Sequence, residues 1–179
     1  MRKNWIVIIA VASVLVILAA AAVVMALRSD HSAVRYQGFI ARSPDLVWEY
    51  ITRPAYRSLW TRGLINVVPL RGDVAVPGST NLLVLMREGQ KFEVEEIIQE
   101  AERPHFLTSL TGGKSADIVT RITLEPSVGG TLVTLSQEVT FKTLTGQYLS
   151  AFVTRSSRED LEHSFKRLKK LVESAPEEG

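Results

Sequence analysis

Leu161, Phe165, Leu168 and Val172 recur at i, i+4, i+7 and i+11, the spacing that places apolar side chains on one face of an α-helix. Leu149, Phe152 and Val153 begin the same stripe earlier, so the periodicity predicts one long helix over residues 145–173. Between residues 34 and 142 the chain reads instead as short strands separated by turn residues. A long amphipathic helix that follows a run of strands must bury its stripe on a sheet. The stripe is strongest over Leu161–Val172, while the earlier half, with Ser156 and Ser157, is smaller and more polar. The later half is therefore expected to close the fold, and the earlier half to line whatever space remains.

Seven strands are expected, at 34–41, 64–70, 80–87, 91–100, 105–110, 117–125 and 131–141. The period-2 pattern is clearest in the sixth, where Ile118, Thr120, Ile122 and Leu124 share one face. In the last, Val133, Leu135, Val139 and Phe141 face inward by parity, with Gln137 among them. Turns at Arg71-Gly72-Asp73, Glu88-Gly89-Gln90 and Pro126–Gly130 imply hairpins and hence an antiparallel sheet. After the first strand, Ser43 caps a short helix whose first position is Pro44 and whose Asp45 favours the positive end of the dipole. Pro54 ends that helix and starts a second, carrying Tyr56, Leu59 and Trp60.

Arg42-Ser43-Pro44-Asp45-Leu46-Val47-Trp48-Glu49-Tyr50-Ile51, followed by Pro54 and Tyr56 to Trp60, is similar to the opening of the START-related, Bet v 1-like superfamily. These domains are also called SRPBCC or polyketide cyclase/dehydrase-like. Gly72 and Gly78 around a hairpin, Pro104 before a strand, Gly129-Gly130-Thr131 before the last strand and the closing Arg/Lys/Leu-rich helix fit the same pattern over residues 34–174. The resemblance implies an α+β helix-grip fold, with a seven-stranded curved antiparallel sheet around the long C-terminal helix and an apolar cavity between them. It supports the fold better than any activity.

Trp5 to Leu27 is a run of 23 residues without a charge and with Ser13 as its sole polar residue. At ~1.5 Å per residue it is long enough to cross a ~30 Å hydrocarbon layer as a helix. Arg2 and Lys3 before it and small residues at Ala19–Ala22 also fit a cleaved signal peptide. Val23–Leu27 extends the apolar run past that point and favours a retained anchor. The division expected is an anchor at 1–27, a linker at 28–33, the domain at 34–174 and a frayed tail at 175–179. Arg2 and Lys3 lie on one side of the segment, and Arg28, Arg35 and Arg42 on the other. The expected orientation, a single pass with the domain outside the cytoplasm, rests on the charges nearest the N-terminus.

The whole chain carries a net +2. Once Arg2 and Lys3 are set aside, 19 basic and 19 acidic residues remain from Arg28 onward. The basicity thus belongs to the N-terminus, and a nucleic-acid partner is not expected. Cysteine is absent, which removes thiolate metal sites and disulfides. His31, His105 and His163 lack metal-ligand spacing. No metal, cofactor or catalytic constellation is therefore expected.

Gly112-Gly113-Lys114-Ser115 lacks the spacing and the following helix of a phosphate loop and reads as a hairpin loop; in the family, such loops rim the cavity mouth. Lys166, Arg167, Lys169 and Lys170 read either as a patch for anionic lipid heads or, the favoured reading, as cations suited to the last turns of a helix and balanced by Glu162 and Glu173. Glu96 shares inward parity with Phe92, Val94 and Ile98. Because a buried carboxylate is costly, a bulge or sheet edge turning it to solvent is the favoured reading; the other is a polar spot in the cavity. Gln137 either pairs with backbone or offers a hydrogen bond to a ligand, and Thr120 raises the same question more mildly. Trp60, Met86 and Phe152 line the cavity or fill the core. With Ser156, these are the candidate ligand-contacting residues.

The function expected is that of a membrane-anchored binding protein for a hydrophobic small molecule or lipid. A cyclase- or dehydratase-like enzyme with Glu96 as general base is the alternative, and an envelope interaction module without ligand is a third.

Overall fold

A computed structural model describes residues 13–18, 30–87, 89–148 and 150–176, with the side chains of Tyr148, Ala151 and Phe152 outside the description. The strands are β1 (His31–Ile40), β2 (Leu64–Arg71), β3 (Thr80–Arg87), β4 (Gln90–Glu102), β5 (Phe106–Gly112), β6 (Ala116–Ser127) and β7 (Gly130–Phe141). The helices are α1 (Pro44–Thr52), α2 (Pro54–Trp60), α3 (Leu144–Tyr148) and α4 (Ser150–Glu173). All seven strands form one antiparallel sheet in the order β1-β7-β6-β5-β4-β3-β2, as the hairpin turns require.

β3 has its expected bounds, and the other strands differ by a few residues at their ends. β1 takes in His31, Ser32 and Ala33, which the sequence reading assigned to the linker. Ladder bonds from β7 explain the difference, because His31 still pairs with Thr140 and Phe141 N–H donates to the Asp30 carbonyl. The expected single helix of residues 145–173 is two pieces, α3 and α4; Leu149 lies outside the described residues. Ser43 caps α1 through the Leu46 amide, and Arg53 N–H closes that helix on the Glu49 carbonyl before Pro54 starts α2.

The anchor span is described only over residues 13–18, which are helical; Val14, Leu15, Val16, Ile17 and Leu18 are each more than half exposed. Among the described residues no helix is long and apolar enough to cross a membrane, and the rest of the 5–27 run lies outside them.

Strand direction defines two ends of the sheet. β1, β4 and β6 begin at the lower end, where β3, β5 and β7 finish. α4 runs from the lower end to the upper: Thr154 contacts Ser32 at the start of β1, and Glu173 accepts from the Ala41 amide beyond its finish. The main core gathers Val47, Trp48, Ile51, Trp60, Ile122, Leu124, Val133, Leu135, Leu161, Phe165, Leu168 and Val172. Gly38 is required by this packing, since a Cβ there would overlap the Phe165 ring.

Candidate functional site

Each inward side chain can be placed by register. Gln137 lies between Val34 and Thr120, Thr120 beside Ser109, and Ser109 beside Ile98. This gives a transverse polar row, Gln137–Thr120–Ser109, across the middle of the inner face. One step lower run Val139, Ile118, Thr111, Glu96 and Asn81. One step higher are Leu135, Ile122 and Leu107, all buried.

Cover over this face is uneven. α4 lies chiefly along β1, α2 packs on β2, and α1 reaches the upper parts of β6 and β7. No helix packs extensively on the lower parts of β4, β5 and β6 among the described residues. Val94, Thr111, Ile118, Thr120 and Gln137 are accordingly only half-buried, and Phe92 is 44% exposed although it faces inward. The side chains of Thr120 and Gln137 make no hydrogen bond with any described residue. Ser156 is half-buried on the earlier half of α4.

Glu96 departs from the favoured reading. The bulge in β4 falls after it, between Ile98 and Glu100, so Glu96 keeps inward parity and is 2% exposed. Arg57 of α2 grips both carboxylate oxygens, Nη1 to Oε2 at 2.7 Å and Nη2 to Oε1 at 2.9 Å. Asn81 Nδ2 donates to Oε2 at 3.0 Å, and Ser109 adds a further hydrogen bond. Burial alone would raise this carboxyl's pKa. The Arg57 charge and the hydrogen bonds from Arg57, Asn81 and Ser109 outweigh it and hold the pKa below the ordinary 4.5. The group is a carboxylate held in its ionised form by Arg57 and bonded on both oxygens, which makes a weak general base.

The remaining candidates separate. Trp60 is 5% exposed, donates from Nε1 to the Tyr50 carbonyl at 2.8 Å and belongs to the packed core. Met86, opposite Lys91, alternates with the inward Leu83 and Leu85; it lies on the outer face and is 43% exposed. The structure therefore does not bring Met86 to the inner face. The Phe152 side chain lies outside the described residues. Arg57, Asn81 and Ser109 are polar inward residues that the sequence reading missed. Within this basic run Lys166 pairs with Glu162 at 2.6 Å and Lys169 with Glu173 at 3.5 Å, and Lys169 also donates to the Phe39 carbonyl of β1 at 2.9 Å.

Two concavities adjoin the upper end. A hole of about 10 Å³, the room of one water molecule, is bordered by Thr52, Arg57, Asn81 and Leu107. An open groove of about 480 Å³ lies between the end of α1 (Trp48, Thr52), the β2–β3 loop (Val74 to Pro77) and Arg103. Among the described residues, no group of His, Asp and Glu is arranged to hold a metal ion.

The element order, the sheet and the gripping helix define a helix-grip α+β domain. Residues 41–173 match the family described as Activator of Hsp90 ATPase homolog 1-like protein, and the chain belongs to that family. A search of curated proteins finds no match. Among solved structures, protein CV1439 from Chromobacterium violaceum is 20% identical, with a TM-score of 0.64 over 80% of this chain and 99% of that one. Ara h 8.0201 is 13% identical, with a TM-score of 0.67 over 81% and 99%. DynU16, from the dynemicin biosynthetic locus, is 15% identical, with a TM-score of 0.60 over 80% of this chain and 48% of that one. At these identities the likeness is one of fold, the Bet v 1-like fold the sequence resembled.

Proposed function

We propose that the protein binds a hydrophobic small molecule or lipid between the lower half of its sheet and the first half of α4, and that residues 5–27 anchor it in a membrane. The observation carrying this reading is the Thr120–Gln137 pair, half-exposed and without a side-chain hydrogen bond to a described residue, beside the inward Ile118, Val94 and Phe92. An apolar site with a few convergent polar groups is the usual form of a small-molecule site. Ile118, Val94 and Phe92 would meet the apolar body of the ligand, while Thr120 and Gln137 would hydrogen-bond its polar end. The anchor is supported by the 23-residue uncharged run and by the exposed apolar helix at 13–18. The domain is placed outside the cytoplasm by the N-terminal charges alone.

Native mass spectrometry and lipid extraction of residues 30–179 purified from cells test the binding. A retained mass, displaced by a fluorescent fatty acid, is expected; no retained mass and no uptake would refute the carrier. The catalytic alternative loses Glu96 as its base because of the Arg57 ion pair, and would need another acid. An interaction module is favoured by a different observation: Ile65, Val68 and Leu70 are 47%, 37% and 55% exposed on the edge strand β2. Capture of a protein partner that is lost on Leu70→Lys would support it.

A further inference from the structure

Asp160 of α4 reaches across the inner face to the β2–β3 side, with Oδ1 3.0 Å from Arg62 Nη1 and Oδ2 2.9 Å from Arg87 Nη2. The α4 face that carries Asp160 therefore looks across the gap over the lower parts of β4 to β6. Val153, Ser156 and Ser157 precede Asp160 by seven, four and three residues and share that face. All three are half-buried, and neither serine has a side-chain hydrogen bond to a described residue. The sheet opposite presents Thr111, Thr120 and Gln137, also half-buried and also without such a bond. Each polar group free to meet a ligand on these two walls is thus a hydroxyl or a carboxamide. The charged groups around them are matched already. Arg57 spends both Nη atoms on Glu96, Lys91 pairs with Glu93 at 2.8 Å, and Lys142 with Asp117 at 2.7 Å. Arg155 and Arg158 are exposed, roughly 140–160° round α4 from Asp160. Among the described residues, Lys114 is the one cation in the turns at this end without an acidic partner, and it is exposed between β5 and β6.

Resting on the binding reading above, we propose that the ligand of this site is uncharged, an apolar molecule whose buried end carries a hydroxyl, carbonyl or amide group held by Thr120 and Gln137. The Gln137 amide and the Thr120 hydroxyl each both donate and accept. In-register neighbours on adjacent strands stand about 4.5–5.5 Å apart at Cβ, so one such group can bond to both. A carboxylate or phosphate in the same place would lose its hydration with no free cation to replace it, which costs far more than burying a neutral group. Taking Arg57 or Arg87 as its counterion would strip Glu96 or Asp160 of theirs. A fatty acid therefore enters this half protonated, or tail-first with its carboxylate left in water at the mouth.

The full chain in lipid nanodiscs is titrated with dodecanol and with dodecanoate at pH 8, the Ile118 methyl shift reading occupancy of this half of the face. Each variant is compared with the wild type for the same ligand, which cancels the two ligands' different partition into lipid. Thr120→Val with Gln137→Leu should weaken dodecanol about tenfold and leave dodecanoate unchanged or tighter. Gln137→Lys, which supplies the missing cation, should tighten dodecanoate and weaken dodecanol. Unmoved Leu124 and Leu168 methyls show that the variants keep the fold. Equal weakening of both ligands by the double variant, or a dodecanoate affinity untouched by Gln137→Lys, would overturn the uncharged class and leave the site standing. No Ile118 shift with either ligand would overturn the site itself.

Discussion

The same sheet face behaves differently at its two ends. Above the Gln137–Thr120 row, Leu135, Ile122, Leu124 and Val133 are at most 7% exposed, covered by α1 and by the Leu161–Val172 stripe of α4. Below it, Val139 and Phe141 of β7 stay buried beside the helices, whereas Ile118, Thr111 and Val94, further across the sheet, are half-exposed. The two halves of α4 repeat the contrast. Leu168 and Val172 are fully buried, while Val153, Thr154, Ser156 and Ser157 are not. A helix that lies mainly over β1 cannot also cover β4 to β6. Packing is dense where the helices lie and looser over the lower parts of β4 to β6.

That contrast can be broken most severely through the ion pair that braces the middle of the face. Arg57→Ala would leave Glu96 buried and unpaired, and should cost about 3–5 kcal/mol in urea denaturation. The double replacement Arg57→Met with Glu96→Leu should cost far less, because it removes both charges. Next in size, Leu168→Ala in the packed half should cost about 2–5 kcal/mol. Gly38→Ala should cost about 1–3 kcal/mol by driving into Phe165, with part of that recovered by Phe165→Leu. In the open half, Val153→Ala should stay within about 0.5 kcal/mol. An equal loss at Val153 and Leu168 would erase the distinction between the halves.

The pH dependence of stability is a further check. The Glu96 carboxyl is held below its ordinary 4.5 in the folded state, so the unfolded chain takes up a proton first as pH falls. The stabilisation is complete above the unfolded value and is lost as pH drops through the lowered folded value. The urea midpoint should therefore fall in acid, and the fall should be shallower in Glu96→Gln. An identical acid limb in the variant would assign the effect to other carboxylates.

Most of the fold was legible in the sequence because β6 and β7 alternate and the α4 stripe holds its period over three turns. The polar centre was legible only in part. Glu96 had the right parity, but two facts hid its state: the β4 bulge falls at Gln99 rather than before it, and its partner Arg57 is 39 residues away on another element. The useful signal was Asn81, inward by parity on the strand that pairs with Glu96. Met86 was misplaced because it sits at the end of a strand, where a single position decides the face.

Methyl-resolved NMR during titration with oleate tests the central claim most directly, since it reads both halves of the inner face at once. The account predicts shifts at Ile118, Val94 and Val153, with Leu124, Leu168 and Val172 unmoved. Shifts confined to Val74 and Val76 would move the site to the groove beside Trp48, and uniform shifts through Leu168 would show that the protein has no preformed open half.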